Sequence, residues 1–108
     1  MNLDPNRKTA DLLSICFKAG KAVKGFDSAC DAAEKGTASC LLTASDASDK
    51  TIKETVFIGS KYNVPVYRTL LTKEDISHLC SKSTAVIAVI DKGFAEGFRK
   101  IISQFDKT

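Results

Sequence analysis

No apolar run in the chain approaches the roughly 20 residues that cross a bilayer, and Met1 to Ala10 lacks the apolar stretch of a secretory leader. A cytosolic protein without a membrane partner is expected. The four cysteines, Cys16, Cys30, Cys40 and Cys80, include no Cys-x-x-Cys pair, so the ligand spacing of a zinc site is missing. All four lie in apolar-patterned stretches, which suits buried, reduced thiols. His78 is the only histidine, and its place beside Ile76 and Leu79 suits a surface or packed side chain better than a general base. Low-complexity sequence is absent too. With 44% apolar and 27% charged residues the chain should fold, and 108 residues make one domain, 1–108.

The parts of an enzyme are equally scarce. No nucleophile with a base in reach, carboxylate pair or cofactor loop is legible. The stretch Gly20-Lys21-Ala22-Val23-Lys24-Gly25 lacks both the Gly-x-x-x-x-Gly-Lys-Ser/Thr spacing of a nucleotide loop and the Gly-x-Gly-x-x-Gly of dinucleotide folds. Asp46 follows a strand, where α/β proteins often place a functional acid, but Ser45 and Ser48 beside it favour a helix-capping turn. A phosphoacceptor domain would begin with a strand, whereas this chain begins with a helix. Catalysis is set aside, and no cofactor or metal is expected.

What is present is an uneven charge. The net charge of +3 lies wholly at the N-terminal end, where Arg7, Lys8, Lys18, Lys21 and Lys24 face only Asp4 and Asp11; residues 26–108 balance eleven bases with eleven acids. A local basic patch on a neutral body is what phosphate contact needs, and a solvated lysine face would give the same count.

Helices and strands alternate in the pattern. Asp4-Pro5 suits a helix start, followed by Leu12, Ile15 and Cys16 at helical spacing and a stop at Gly20. Ala22 to Lys24 reads as a brief strand. Phe26, Ala29, Cys30 and Ala33 mark a second helix that stops near Gly36. Ser39 to Ala44 reads as a buried strand, and Ser48 can cap a third helix carrying Ile52, Thr55, Val56 and Gly59. Pro65-Val66-Tyr67 begins a strand where a missing amide is tolerated. Thr72-Lys73-Glu74-Asp75 resembles a capping box for a fourth helix with Ile76, Leu79 and Cys80 inward. The unbroken apolar run Ala85 to Ile90 predicts a strand covered on both faces, before a last helix lined by Phe94, Phe98, Ile101, Ile102 and Phe105. The implied class is α/β: a three-layer α/β/α sandwich around a small mixed four-stranded sheet.

Four segments then fall in a familiar order: Lys18-Ala19-Gly20-Lys21-Ala22-Val23-Lys24-Gly25, Leu41-Leu42-Thr43-Ala44-Ser45-Asp46-Ala47-Ser48, Tyr62-Asn63-Val64-Pro65-Val66, and Val86-Ile87-Ala88-Val89-Ile90-Asp91-Lys92-Gly93-Phe94-Ala95. Over about residues 7–105 the chain resembles the L7Ae/L30e ribosomal protein family, most nearly its small bacterial members of the YlxQ type. The resemblance implies the same sandwich. It also implies binding to kink-turn RNA, a sharply bent internal loop, by the start of the second helix and the loop before the last strand. Structured RNA, ribosomal or of another bent-loop type, is the implied partner, with ribosomal particles as a further one. The protein is expected to be a monomer.

The positions this assigns to RNA are Lys18, Gly20, Lys21, Lys24, Gly25, Ser28, Ser81 and Lys82. Relatives carry Asn-Glu-x-x-Lys after the glycine, where this chain has Asp27, Ser28 and Asp31. An aspartate cannot donate to a guanine carbonyl, and two acids there should repel phosphates. Asp27 or Ser28 could instead cap the helix, with Asp31 closing a Ser-x-x-Asp box. Ser77 and Ser81 stand where relatives usually have glycine, while Lys82 is kept. A protein-interaction module that has lost RNA readout is the competing reading.

Overall fold

Nine elements alternate along the chain in the computed structural model, which describes residues 5–105. Helix α1 (Pro5–Lys18) buries Leu13 and Cys16. Asp4, expected as its cap, lies outside the described residues. Ile15 does not join the core; it is 54% exposed, because it falls about 200° round the helix from Leu13. The helix ends where Gly20 takes φ 71, so that Gly20 N–H donates to Phe17 and Lys21 N–H to Cys16. Gly36 (φ 79) ends α2 (Phe26–Glu34) in the same way, with Thr37 N–H reaching Ala32.

Strands β1 (Ala22–Lys24), β2 (Cys40–Thr43), β3 (Val66–Arg68) and β4 (Val86–Val89) form one sheet in the order β1-β4-β2-β3. β4 is antiparallel to both β1 and β2, while β2 and β3 run parallel, so the sheet is mixed as expected. Every residue of β2 and β4 is buried, since helices cover both faces. The pleat sorts their side chains: Cys40, Leu42, Ile87 and Val89 face Leu13, Ile76, Phe98 and Ile102, whereas Leu41, Val86 and Ala88 face Ala29, Ala32 and Ala33. Helices α1, α4 (Lys73–Cys80) and α5 (Lys92–Phe105) thus form one outer layer and α2 with α3 (Asp49–Tyr62) the other. Of the stripe expected on α5, Phe98 and Ile102 are buried and Phe94 and Ile101 half-buried; the side chain of Phe105 lies outside the described residues.

The caps follow the local chemistry. Ser48 Oγ accepts from Thr51 N–H at 3.1 Å at the start of α3. Thr72 and Asp75 exchange both bonds of a capping box at 3.0 Å each. Asp46 also caps a helix, though α4 and not the adjacent α3: its Oδ1 accepts from Lys73 N–H at 2.9 Å, placing a carboxylate at the positive end of α4. In α3 the inward stripe runs through Thr55 and Gly59, leaving Val56, which the helical pattern groups with them, 50% exposed. Gly59 lets α3 lie close on the sheet edge, for a Cβ there would stand 2.5 Å from Val66 Cγ2 and 2.7 Å from the Val64 carbonyl oxygen. Cys16 and Cys40 are buried, and Cys30 and Cys80 only half-buried. Among the described residues no helix is long and apolar enough to cross a membrane.

Candidate nucleic-acid interface

The strand pairing decides which basic residues share a surface. Lys24 lies opposite Ile87, and the next amide, Gly25 N–H, donates to Val86 O at 2.9 Å. β1 therefore ends beside the start of β4 and the loop that feeds it. Gly25 has φ 102 and ψ 146, a conformation essentially restricted to glycine, and it turns the chain directly into α2. A Cβ would meet nothing within 4 Å, so the backbone angle and not crowding requires glycine here.

Helix α2 starts without a side-chain cap. Asp27 and Ser28, either of which could have capped the helix, sit inside its first turn instead, because Gly25 has already taken the capping position. Asp31 closes no box; it pairs with Lys35 at 3.0 Å, one turn on. The first amides of α2 thus face outward with the helix's partial positive charge behind them. Asp27 and Ser28 are exposed beside them.

Across from this turn, α4 ends at Ser81, which adopts the left-handed conformation (φ 63) with its N–H on Ser77 O. This serine occupies the conformation that glycine takes freely, at a cost of about 1–2 kcal/mol. Lys24 joins the two elements: its Nζ donates to Cys80 O at 3.1 Å, so a cation from β1 sits at the negative end of α4. The Cys80 thiol in turn lies 3.2 Å from Lys82 O, which folds the loop back and leaves Ser81, Lys82 and Ser83 exposed.

Lys24, Gly25, Ser28, Ser81 and Lys82 are thereby brought to one end of the sheet. Lys18, Gly20 and Lys21 are not. Lys21 O accepts from Ile90 N–H beyond the far end of β4, so Lys21 and Lys24 are separated by the whole of β1, about 10 Å at 3.3 Å per residue. The four lysines form two pairs, one at each end of that strand. His78 is exposed and, with Arg7 and Asp75, lines a shallow polar hollow between α1 and α4. No group of three or more histidine, cysteine, aspartate or glutamate side chains among the described residues could hold a metal ion.

The profile of the ribosomal protein L7Ae/L30e/S12e/Gadd45 family matches residues 7–98. The chain belongs to this family. It is similar to the RNA-binding protein YlxQ of Enterococcus faecium, with 28% identity over 102 residues that cover 94% of this chain and 98% of that one. A structure from Bacillus halodurans, of a protein with unknown function, superposes with a TM-score of 0.80 at 23% identity, covering 87% of this chain and 95% of the other. The Giardia lamblia 15.5kD RNA binding protein superposes with a TM-score of 0.77 at 14% identity, covering 99% and 92% respectively. At such identities the two structures establish the fold alone.

Two features escaped the sequence, one at this surface and one on α3. The carbonyl of Cys80 as the seat of Lys24 has no signature, since the partners lie 56 residues apart. The exposed pair Val56 and Phe57 was hidden because Val56 shares the apolar spacing of Ile52.

Proposed function

We propose that this protein is a non-catalytic binder of structured RNA, holding a bent internal loop of ribosomal or other ribonucleoprotein origin during assembly. The observation that carries the reading is the bond from Lys24 Nζ to Cys80 O, which ties the uncapped start of α2 to the Ser81-Lys82-Ser83 loop. Between them the two elements offer outward amides, two exposed lysines and small hydroxyl side chains, a combination suited to phosphate oxygens. Lys18 and Lys21 provide a second contact about 10 Å away along the strand direction. Family membership and the name of the Enterococcus faecium relative support the same reading.

Base reading is reduced in this proposal. Asp31 is engaged by Lys35, Asp27 offers only acceptors, and Ser28 is too short to replace a carboxylate reader. Affinity then rests on phosphates and on the shape of the bend, because regular A-form RNA closes its deep groove to side chains. Titration of a kink-turn RNA against a straight duplex, at several salt concentrations, tests this. The bent RNA should bind more tightly, and joint replacement of Lys24 and Lys82 by alanine should lower the salt slope by about 1.4–1.8 log units for two phosphate contacts. An unchanged slope would place the RNA elsewhere.

A further inference from the structure

At the end of the sheet away from Gly25, backbone bonds draw four turns together. Lys21 O accepts from Ile90 N–H at 2.9 Å, Ser39 N–H donates to Val89 O at 2.6 Å, and Leu41 N–H donates to Pro65 O at 2.9 Å. The ends of α1, α2 and α3 and the start of α5 therefore share one side of the molecule. In the order β1-β4-β2-β3 that side is three strand spacings wide, about 14 Å.

Lys18, Lys21, Lys61 and Lys92 stand exposed on these turns, and none makes an ion pair among the described residues. Lys61 lies over the Tyr62 ring at 5.3 Å, a contact that leaves its charge in place. The acids there are fewer. Asp91 is half-buried and its Oδ1 accepts from Phe94 N–H at 3.0 Å, which leaves Glu34; Lys35 beside it is held by Asp31. Helix stability accounts for only part of this positive charge. Lys18 and Lys61 sit in last turns, where a helix's partial negative charge favours a base. Lys92 is the first residue of α5, where the dipole disfavours a base and the first turn holds no acid, and Lys21 belongs to no helix. The turns also supply no exposed large apolar side chain; the exposed positions beside the lysines include Ala19, Gly20, Gly36 and Asn63. A protein partner would find no apolar anchor here, whereas a phosphate backbone needs only cations at intervals.

We propose that this end of the sheet is a second phosphate-binding face, which grips the backbone of an RNA segment lying outside the bend. The inference rests on the reading of the protein as an RNA binder and extends it from one face to two. Lys18 and Lys21 at the β1 side continue through Lys92 after β4 to Lys61 before β3. Because the two faces lie at opposite ends of β1 and β4, a bend held at Gly25 and a second segment can be bound at once. Contact with the backbone alone makes the second face indifferent to sequence.

The test uses the full chain and three probes: the bent RNA trimmed to its loop, a straight RNA duplex of unrelated sequence, and polyglutamate. The duplex should bind a chain already saturated with trimmed RNA, with an affinity that falls steeply with salt. Lys61→Ala combined with Lys92→Ala should weaken the duplex at least about tenfold and lower its salt slope by about 2 log units, one for each phosphate contact. Both positions are exposed, so folding is not at stake, and the trimmed RNA should bind the double variant unchanged. Three results would overturn the proposal: no binding of the duplex, its displacement by the trimmed RNA, or a duplex affinity that the double variant does not alter. Polyglutamate that binds as tightly as the duplex and competes with it would also overturn it, in favour of an acidic protein as the occupant. A stem appended to the trimmed RNA separates the two sources of the segment. Added affinity that the double variant removes places that stem on this face, and no added affinity with the duplex still bound indicates a separate RNA. The trimmed RNA is titrated independently against Lys24→Ala with Lys82→Ala, so failure of the bent-loop reading leaves the duplex result standing.

Discussion

Replacing Ser81 with glycine should make the protein more stable, although the change removes a side chain. Ser81 ends α4 at φ 63 and ψ 15, where a Cβ crowds the following carbonyl at a cost of about 1–2 kcal/mol. Glycine removes that cost and adds about 0.5–1 kcal/mol of chain entropy to be lost on folding. The Ser81 hydroxyl is exposed, and among the described residues no hydrogen bond from it offsets the gain. The net expectation is about 0.5–1 kcal/mol of added stability, or a rise in Tm of about 2–6 °C. Ser77→Gly supplies the opposite sign within the same helix. Ser77 has helical backbone and its Oγ already bonds Glu74 O, so glycine there should cost about 0.3–0.5 kcal/mol through helix propensity. Thermal unfolding followed by circular dichroism, with urea midpoints as a second measure, reads both variants. If the two substitutions move stability in the same direction, the left-handed serine is not strained and the explanation fails.

Gly59→Ala should destabilise by about 1–3 kcal/mol, because its Cβ would meet a backbone oxygen as well as Val66; a lower urea midpoint at unchanged m value is the expected signature. Burial pushes the Cys40 thiol up to about 12 and the Cys16 thiol up to about 11, against an ordinary value of 9.0. Above that ordinary value the unfolded chain releases protons that the folded chain keeps. Stability should therefore hold below pH about 9 and fall through the alkaline range, by up to about 1.4 kcal/mol per pH unit for each thiol. Cys40→Ala should flatten that fall, and an alkaline slope identical to that of the unmodified protein would exclude the thiol as its source.

Much of the fold was legible because it rests on local chemistry. The box Thr72 to Asp75, the cap at Ser48 and the glycine stops at Gly20 and Gly36 involve residues a few positions apart. The run Ala85 to Ile90 declared a strand covered on both faces, and β4 lies where that run predicts. Periodicity was a poorer guide to the edges of a buried stripe: Ile15 and Val56 carry apolar side chains at acceptable spacing and still face water. The site was least legible, because it is assembled by pairing across the sheet. Lys21 and Lys24 are neighbours in sequence but stand at opposite ends of β1, whereas Lys24 and Cys80, remote in sequence, touch. Asp46 shows the same limit, since its capping role fell on a helix 27 residues away.

The position of β4 between β1 and β2 also governs when the molecule can assemble. Neither N-terminal strand bonds to the other; each bonds to residues 86–89. Strands β1 and β2 can therefore join one sheet only when residues 86–89 are in place between them, which makes closure a non-local event that follows the local helices. The corner proposed to hold RNA, hung between Gly25 and Val86, exists only after that event.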